Sequence, residues 1–149
     1  MKSFQYCIWA LPEKGHEWYN YPNGYYPHIT IKSKLSLDEA FLYFEKNHFE
    51  ETDIIVEDFN KSLSGGFSAL YANVKCVYEK PVWWPDNAHV SFCYKYTEPF
   101  TKEHLEYYTK NMPKKKVKIK EFLLVRCDGH FMNWKNQILS RQYDRHSIF

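Results

Sequence analysis

The sequence predicts an α+β domain assembled from two similar halves. Three observations lead there. Its 149 residues are 44% hydrophobic and 19% aromatic, enough to build one buried core. Two segments share a tetrad of histidine, apolar, hydroxyl and apolar residues, at His28-Ile29-Thr30-Ile31 and His89-Val90-Ser91-Phe92. Each tetrad is then followed by the same order of helix, strand, turn and strand. An ancient duplication produces such an order, and so does a chance match within an ordinary α+β domain.

The elements follow from local patterns. Phe4 to Leu11 is an apolar, aromatic run stopped by Pro12, which reads as a strand. Glu13 to Pro27 holds two glycines, two prolines and four tyrosines, a long surface loop of the kind that often carries function. His28 to Lys32 is a β-branched, alternating strand. Ser36 and Glu39 make a capping box ahead of Leu37, Ala40, Phe41 and Phe44, so a helix begins there and ends near Asn47. Asp53 to Phe59 is a strand, Ser62 to Gly66 a turn, and Phe67 to Tyr78 a longer strand. In the second half, Ala88 to Tyr96 is the strand with the second tetrad. Phe100 to Met112 is a helix stopped by Pro113. Lys116 to Val125 is a strand with alternating lysines, Asp128-Gly129 begins a turn, and Trp134 to Arg141 is the last strand.

Composition narrows the function classes. A net charge of +2 argues against wrapping duplex nucleic acid, which needs a strongly basic face, but leaves room for a small anion in a local pocket. The lysines at 114, 115, 116, 118 and 120 read better as the wet face of an edge strand than as a backbone-binding patch. Four cysteines stand far apart at 7, 76, 93 and 127 without a C-x-x-C, so reduced thiols in the cytoplasm are the default. No apolar run approaches a membrane span. The histidines outside the tetrads share no metal-like spacing, so the sequence calls for neither a metal nor a cofactor, and no obligate protein partner is evident.

The chemistry lies in the tetrads. Residues i and i+2 of a strand share a face, so His28 joins Thr30 and His89 joins Ser91, with the apolar members turned toward the core. About 0.1 such tetrads are expected by chance in a chain of this composition, and two occur. Cleaving a phosphodiester needs a base to take a proton and an acid to return one, and two imidazoles supply both near neutral pH. The hydroxyls of Thr30 and Ser91 would bond the phosphate oxygens as their charge builds. Around this quartet, Tyr26 and Trp84 (with their neighbours Tyr25 and Trp83) are loop aromatics that can stack on a nucleobase or plug the ends of a small core. Tyr6 is a candidate cleft residue of uncertain parity. Lys32 shares the face of Thr30 by alternation and can approach a phosphate or sit solvated. Arg126 can grip a second phosphate or pair with Asp128.

With these residues the chain resembles the 2H phosphoesterase superfamily, whose LigT-like members carry two H-x-[ST]-x motifs. The opening Tyr6-Cys7-Ile8-Trp9-Ala10-Leu11-Pro12 and the closing Leu124-Val125-Arg126-Cys127 with Trp134 and Ile138-Leu139 are similar to that family's first strand and last hairpin. Serine in the second motif, Cys127 in place of a usual serine, and a short Pro/Trp-rich segment at 79–88 are departures from it. The resemblance implies a bilobal, pseudo-symmetric fold in which two antiparallel sheets line a central cleft and helices pack outside. It implies substrates such as 2′,3′-cyclic phosphates, 2′-5′ oligoadenylate or cyclic dinucleotides. The expected function is therefore metal-independent hydrolysis of a nucleotide phosphodiester. The alternatives are a module that binds a nucleotide or RNA in the same cleft without cleaving it, and an interaction protein in which the tetrads are coincidence.

Overall fold

The computed structural model describes residues 6–13, 18, 26–64, 67–96, 101–111, 116–127 and 138–143. In chain order these form β1 (Tyr6–Pro12), β2 (Ile29–Leu35), α1 (Leu37–Lys46), β3 (Thr52–Ser64), β4 (Phe67–Cys76), β5 (His89–Tyr96), α2 (Lys102–Asn111), β6 (Lys116–Arg126) and β7 (Ile138–Tyr143). The repeated order is present: β2, α1, β3, β4, then β5, α2, β6, β7. Most of the expected loop before His28, including Tyr25, and the turn at Asp128-Gly129 lie outside the described residues.

The α+β arrangement of two separate sheets is not what forms. Among the described residues all seven strands join one sheet in the order β1-β2-β5-β4-β3-β6-β7, with antiparallel pairing throughout and two short helices. The reason lies in two seams. Thr52 to Ile55 of β3 pair with Ile119 to Lys116 of β6, and Ile29 of β2 pairs with Val90 of β5. These seams fuse what would otherwise be two sheets. Because β1 also pairs with β6, six strands close a hydrogen-bonded circuit and β7 lies outside it on β6. Exchanging β2 with β5, β1 with β4 and β6 with β3 leaves the circuit unchanged, but this matches β4 with β1, whereas the repeat along the chain matches β4 with β7.

Alternation sorts the two faces. On β1, Ile8 and Ala10 join the main core, whereas Cys7, Trp9 and Leu11 form a second cluster with Leu123, Val125 and Cys127 of β6. A register shift on β6, between the partners of Leu11 and Pro12, reverses the strand's phase. Val117 and Ile119 face the main core before it, and Phe122 and Leu124 after it. That bulge ends the run of alternating lysines. Lys118 pairs with Glu51 and Asp53 at 3.9 and 3.7 Å, and Lys120 with Glu13 at 3.8 Å. β6 carries strands on both sides, so these lysines are wet without lying on an edge.

Helix α1 covers the main core over β1, β2 and β6. Its capping box forms as the sequence requires: the Glu39 amide donates to Ser36 Oγ at 3.2 Å, and the Ser36 amide to Glu39 Oε1 at 3.0 Å. Asp38 and Glu39 in the first turn and Lys46 in the last oppose the helix dipole. Ala40 and Phe44 are buried. Phe44 packs on Phe49 at 5.5 Å, Phe49 stacks on Phe122 at 5.0 Å, and Trp83 meets Phe122 edge-on at 5.2 Å. The Trp83 indole N–H donates to the Glu50 carbonyl at 2.8 Å, so this tryptophan belongs to the core and holds the segment before β5 in place. No helix among the described residues is long and apolar enough to cross a membrane.

Candidate active site

The Ile29–Val90 rung positions everything else. Both residues are fully buried in the main core, so their neighbours along each strand face the other way. The rung places His28 and Thr30 on one side of the β2–β5 seam and His89 and Ser91 on the other, on the face turned from the main core, and His28 and His89 are near enough to interact electrostatically. Trp9 continues the Thr30 row, because it pairs with Thr30 across β1 and β2.

Both imidazoles are held in the same way. His28 Nδ1 lies 2.6 Å from the Tyr26 carbonyl, and His89 Nδ1 lies 3.0 Å from the Asn87 carbonyl. Each carbonyl sits two residues before its histidine. A carbonyl only accepts, so each Nδ1 is the donor. Asn87 adopts φ 52° to present its carbonyl, a left-handed conformation that asparagine tolerates better than most residues.

The environments of the two rings differ. His89 is exposed, and Tyr71 of β4 meets its ring edge-on at 5.6 Å. His28 is only 6% exposed and lies flat on Trp9, with ring centroids 3.7 Å apart and planes 11° apart. Burial drives its pKa from 6.5 down to about 3, the Tyr26 carbonyl opposes that shift, and nearby His89 adds to it. His28 is therefore neutral across the physiological range.

Two cavities border the quartet. Where β2 and β5 part beyond their rung, a cavity of about 650 Å³ lies between Thr30, Lys32 and Tyr43 on one side and Trp84, Pro85 and Asp86 on the other. On the β4–β5 side, a cavity of about 380 Å³ is lined by Ala69, Tyr71, Asn73, Asn87, His89 and Ser91. A third, of about 350 Å³, adjoins both, sharing Trp84 and Asp86 with the first and Asn73 and Asn87 with the second.

The structure therefore brings His28, Thr30, His89 and Ser91 together, with Tyr26 behind His28 and Trp84 beside Thr30. Lys32 is exposed, and its ammonium sits 5.6 Å over the Tyr43 ring. Tyr6 lies elsewhere: it packs with Leu35 against the main core, on the face opposite Trp9. Arg126 alternates with Val125 and Cys127 of the Trp9 cluster, which directs it away from the histidines. Sequence reasoning missed Trp9, Tyr71, Asn73 and Asn87. Tyr71 and Asn73 leave a trace, since they alternate with buried Leu70, Ala72 and Val74, so β4 turns a polar, aromatic side toward the second tetrad. Among the described residues no three His, Cys, Asp or Glu side chains gather as a metal site requires. Cys7, Cys76 and Cys127 are free thiols. No family model and no curated protein matches the chain.

Proposed function

We propose that this protein is a metal-independent phosphodiesterase of the two-histidine kind that hydrolyses a nucleotide phosphodiester. The supporting observation is that the Ile29–Val90 rung sets the two tetrads side by side, with both Nδ1 atoms engaged by carbonyls. His28 would take a proton from water or a ribose hydroxyl once bound substrate has raised its pKa, since a base held at about 3 is weak near neutral pH. His89, exposed to solvent, is placed to give a proton to the departing oxygen. Thr30 and Ser91 donate to the non-bridging oxygens. An anion seated between the histidines would also raise the pKa of His28, making it a better base when substrate is bound.

One observation favours a second reading. The burial of His28 suits a module that binds a nucleotide through His89 and the hydroxyls and uses His28 as a structural base for Trp9. Purified protein with EDTA, assayed on 2′,3′-cyclic mononucleotides, 2′-5′ oligoadenylate and cyclic dinucleotides, separates the two. Catalysis requires multiple turnovers that survive chelation, and losses of about 10²–10⁴-fold in each of His28→Ala and His89→Ala. Stoichiometric binding without turnover establishes the module. Activity restored only by a divalent metal defeats the proposed chemistry.

A further inference from the structure

We infer that Cys7 and Cys127 form a dithiol that a hydroperoxide oxidises to a disulfide, and that Trp9 carries its redox state to the His28 ring. The pair stands whether or not the histidines cleave a phosphodiester. β1 and β6 lie side by side, and both cysteines belong to the second cluster, with Trp9, Leu11, Leu123 and Val125. Both are free thiols, and their sulfurs share a hydrogen bond. Thiols in contact on adjacent strands need little backbone movement to bridge.

Two features set the roles. β2 bulges opposite Cys7: Tyr6 pairs with Leu35 and Ile8 with Lys32, which leaves Ser33 and Lys34 against one residue. Lys34 takes φ 57° there, a left-handed conformation that costs a lysine free energy and gathers at functional positions, and its amide N–H is directed at the Cys7 sulfur. The Cys127 S–H donates to the same atom. Chiefly that bond, with the Lys34 amide, holds the Cys7 thiol below its ordinary range against the pull of burial. Cys127 is held above that range by its bond to Cys7 and by burial, and the Trp9 indole N–H donates to its sulfur. Cys7 is therefore the attacking thiol and Cys127 the resolving one.

At 8% and 9% exposure, the pair admits a small hydroperoxide more readily than a bulky disulfide. First the Cys7 thiolate attacks a peroxide oxygen: an S–O bond forms, the O–O bond breaks, and the departing oxygen takes a proton to leave as an alcohol or water. The Cys127 sulfur then attacks the Cys7 sulfenic acid: the S–S bond forms, and hydroxide leaves as water with the Cys127 proton. The two sulfurs together give up two electrons, and the peroxide is reduced. The bridge consumes the Cys127 thiol that accepts from Trp9, and Trp9 lies flat on His28 at 3.7 Å.

The experiment treats folded wild type with hydrogen peroxide, quenches it, alkylates under denaturing conditions and maps the peptides. Loss of two of the four thiols, with a Cys7–Cys127 linked peptide that dithiothreitol reverses, is expected. Free Cys7 and Cys127 after treatment, or linkage through Cys76 or Cys93, overturns the inference. Cys127→Ser should stop at a Cys7 sulfenic acid that dimedone traps, whereas Cys7→Ser should leave Cys127 unreacted; dimedone on Cys127 and not on Cys7 overturns the roles. The mapping on wild type decides the bridge even where a variant fails to fold. The His28 imidazole NMR signal should shift on oxidation and return on reduction. A signal that the bridge leaves unmoved overturns the link through Trp9.

Discussion

The burial of His28 has a thermodynamic signature that can be read without any substrate. Its imidazole titrates near 6.5 in the unfolded chain and at about 3 in the fold. Between those values the unfolded state binds a proton that the folded state refuses. Stability is thus greatest above pH 6.5 and falls as the pH drops toward 3. At pH 5 about 97% of unfolded chains carry that proton while the folded ring stays neutral, so relative to pH 7.5 the native state loses about 2 kcal/mol through this one group. Carried below pH 3, the loss approaches about 5 kcal/mol, comparable with the whole stability of a small domain. Urea unfolding at pH 7.5 and pH 5 on wild type and His28→Gln isolates the effect. Glutamine still offers an N–H to the Tyr26 carbonyl but does not titrate. The wild type should lose about 2 kcal/mol more than the variant on acidification. Equal losses in the two proteins would mean that His28 titrates alike folded and unfolded, and the argument from burial would be wrong.

Three further outcomes follow from the same geometry. Thr30→Val and Ser91→Ala should each lower kcat by about 10–10³-fold with little change in melting temperature, since each removes one donor to a developing charge; a wild-type rate in either would remove that hydroxyl from the reaction. Asn87 sits at φ 52°, so Asn87→Val should cost about 1–3 kcal/mol and disturb the His89 ring whereas Asn87→Gly keeps the fold; thermal melts and the imidazole NMR signal of His89 report both. Phe122→Ala should cost about 3–5 kcal/mol in urea unfolding, because Phe49 and Trp83 pack on it in the fully buried core, whereas Lys118→Ala, whose partners lie in water's reach, should cost less than about 1 kcal/mol.

What the sequence makes legible is local. The capping box at Ser36 and Glu39 places α1, because its two bonds span three residues. The period-two pattern places β2, β4 and β5 and puts His28 with Thr30 and His89 with Ser91. Boundaries slip where local signals mislead: Ser62 to Gly66 reads as a turn, yet β3 runs on to Ser64, and the last strand is Ile138–Tyr143 rather than Trp134 to Arg141. The larger error concerns partners. Hydrophobic period marks a strand without saying which strand lies beside it, so the β3–β6 and β2–β5 seams, which turn two expected sheets into one, leave no trace in the residues. The same holds at the site. His28 is buried because β1 brings Trp9 alongside, a contact between residues nineteen positions apart in the chain. The face of Tyr6 is not legible in the sequence, because the parity of β1 is set by its partner strands, including the register shifts against β2.

The two tetrad strands meet through a single rung, Ile29 with Val90, and diverge beyond it. They are related as the blades of a pair of shears, pivoting at the rung with an imidazole on each blade. The packing behind Ile29 and Val90, both fully buried in the main core, therefore sets the spacing of two imidazoles it does not touch.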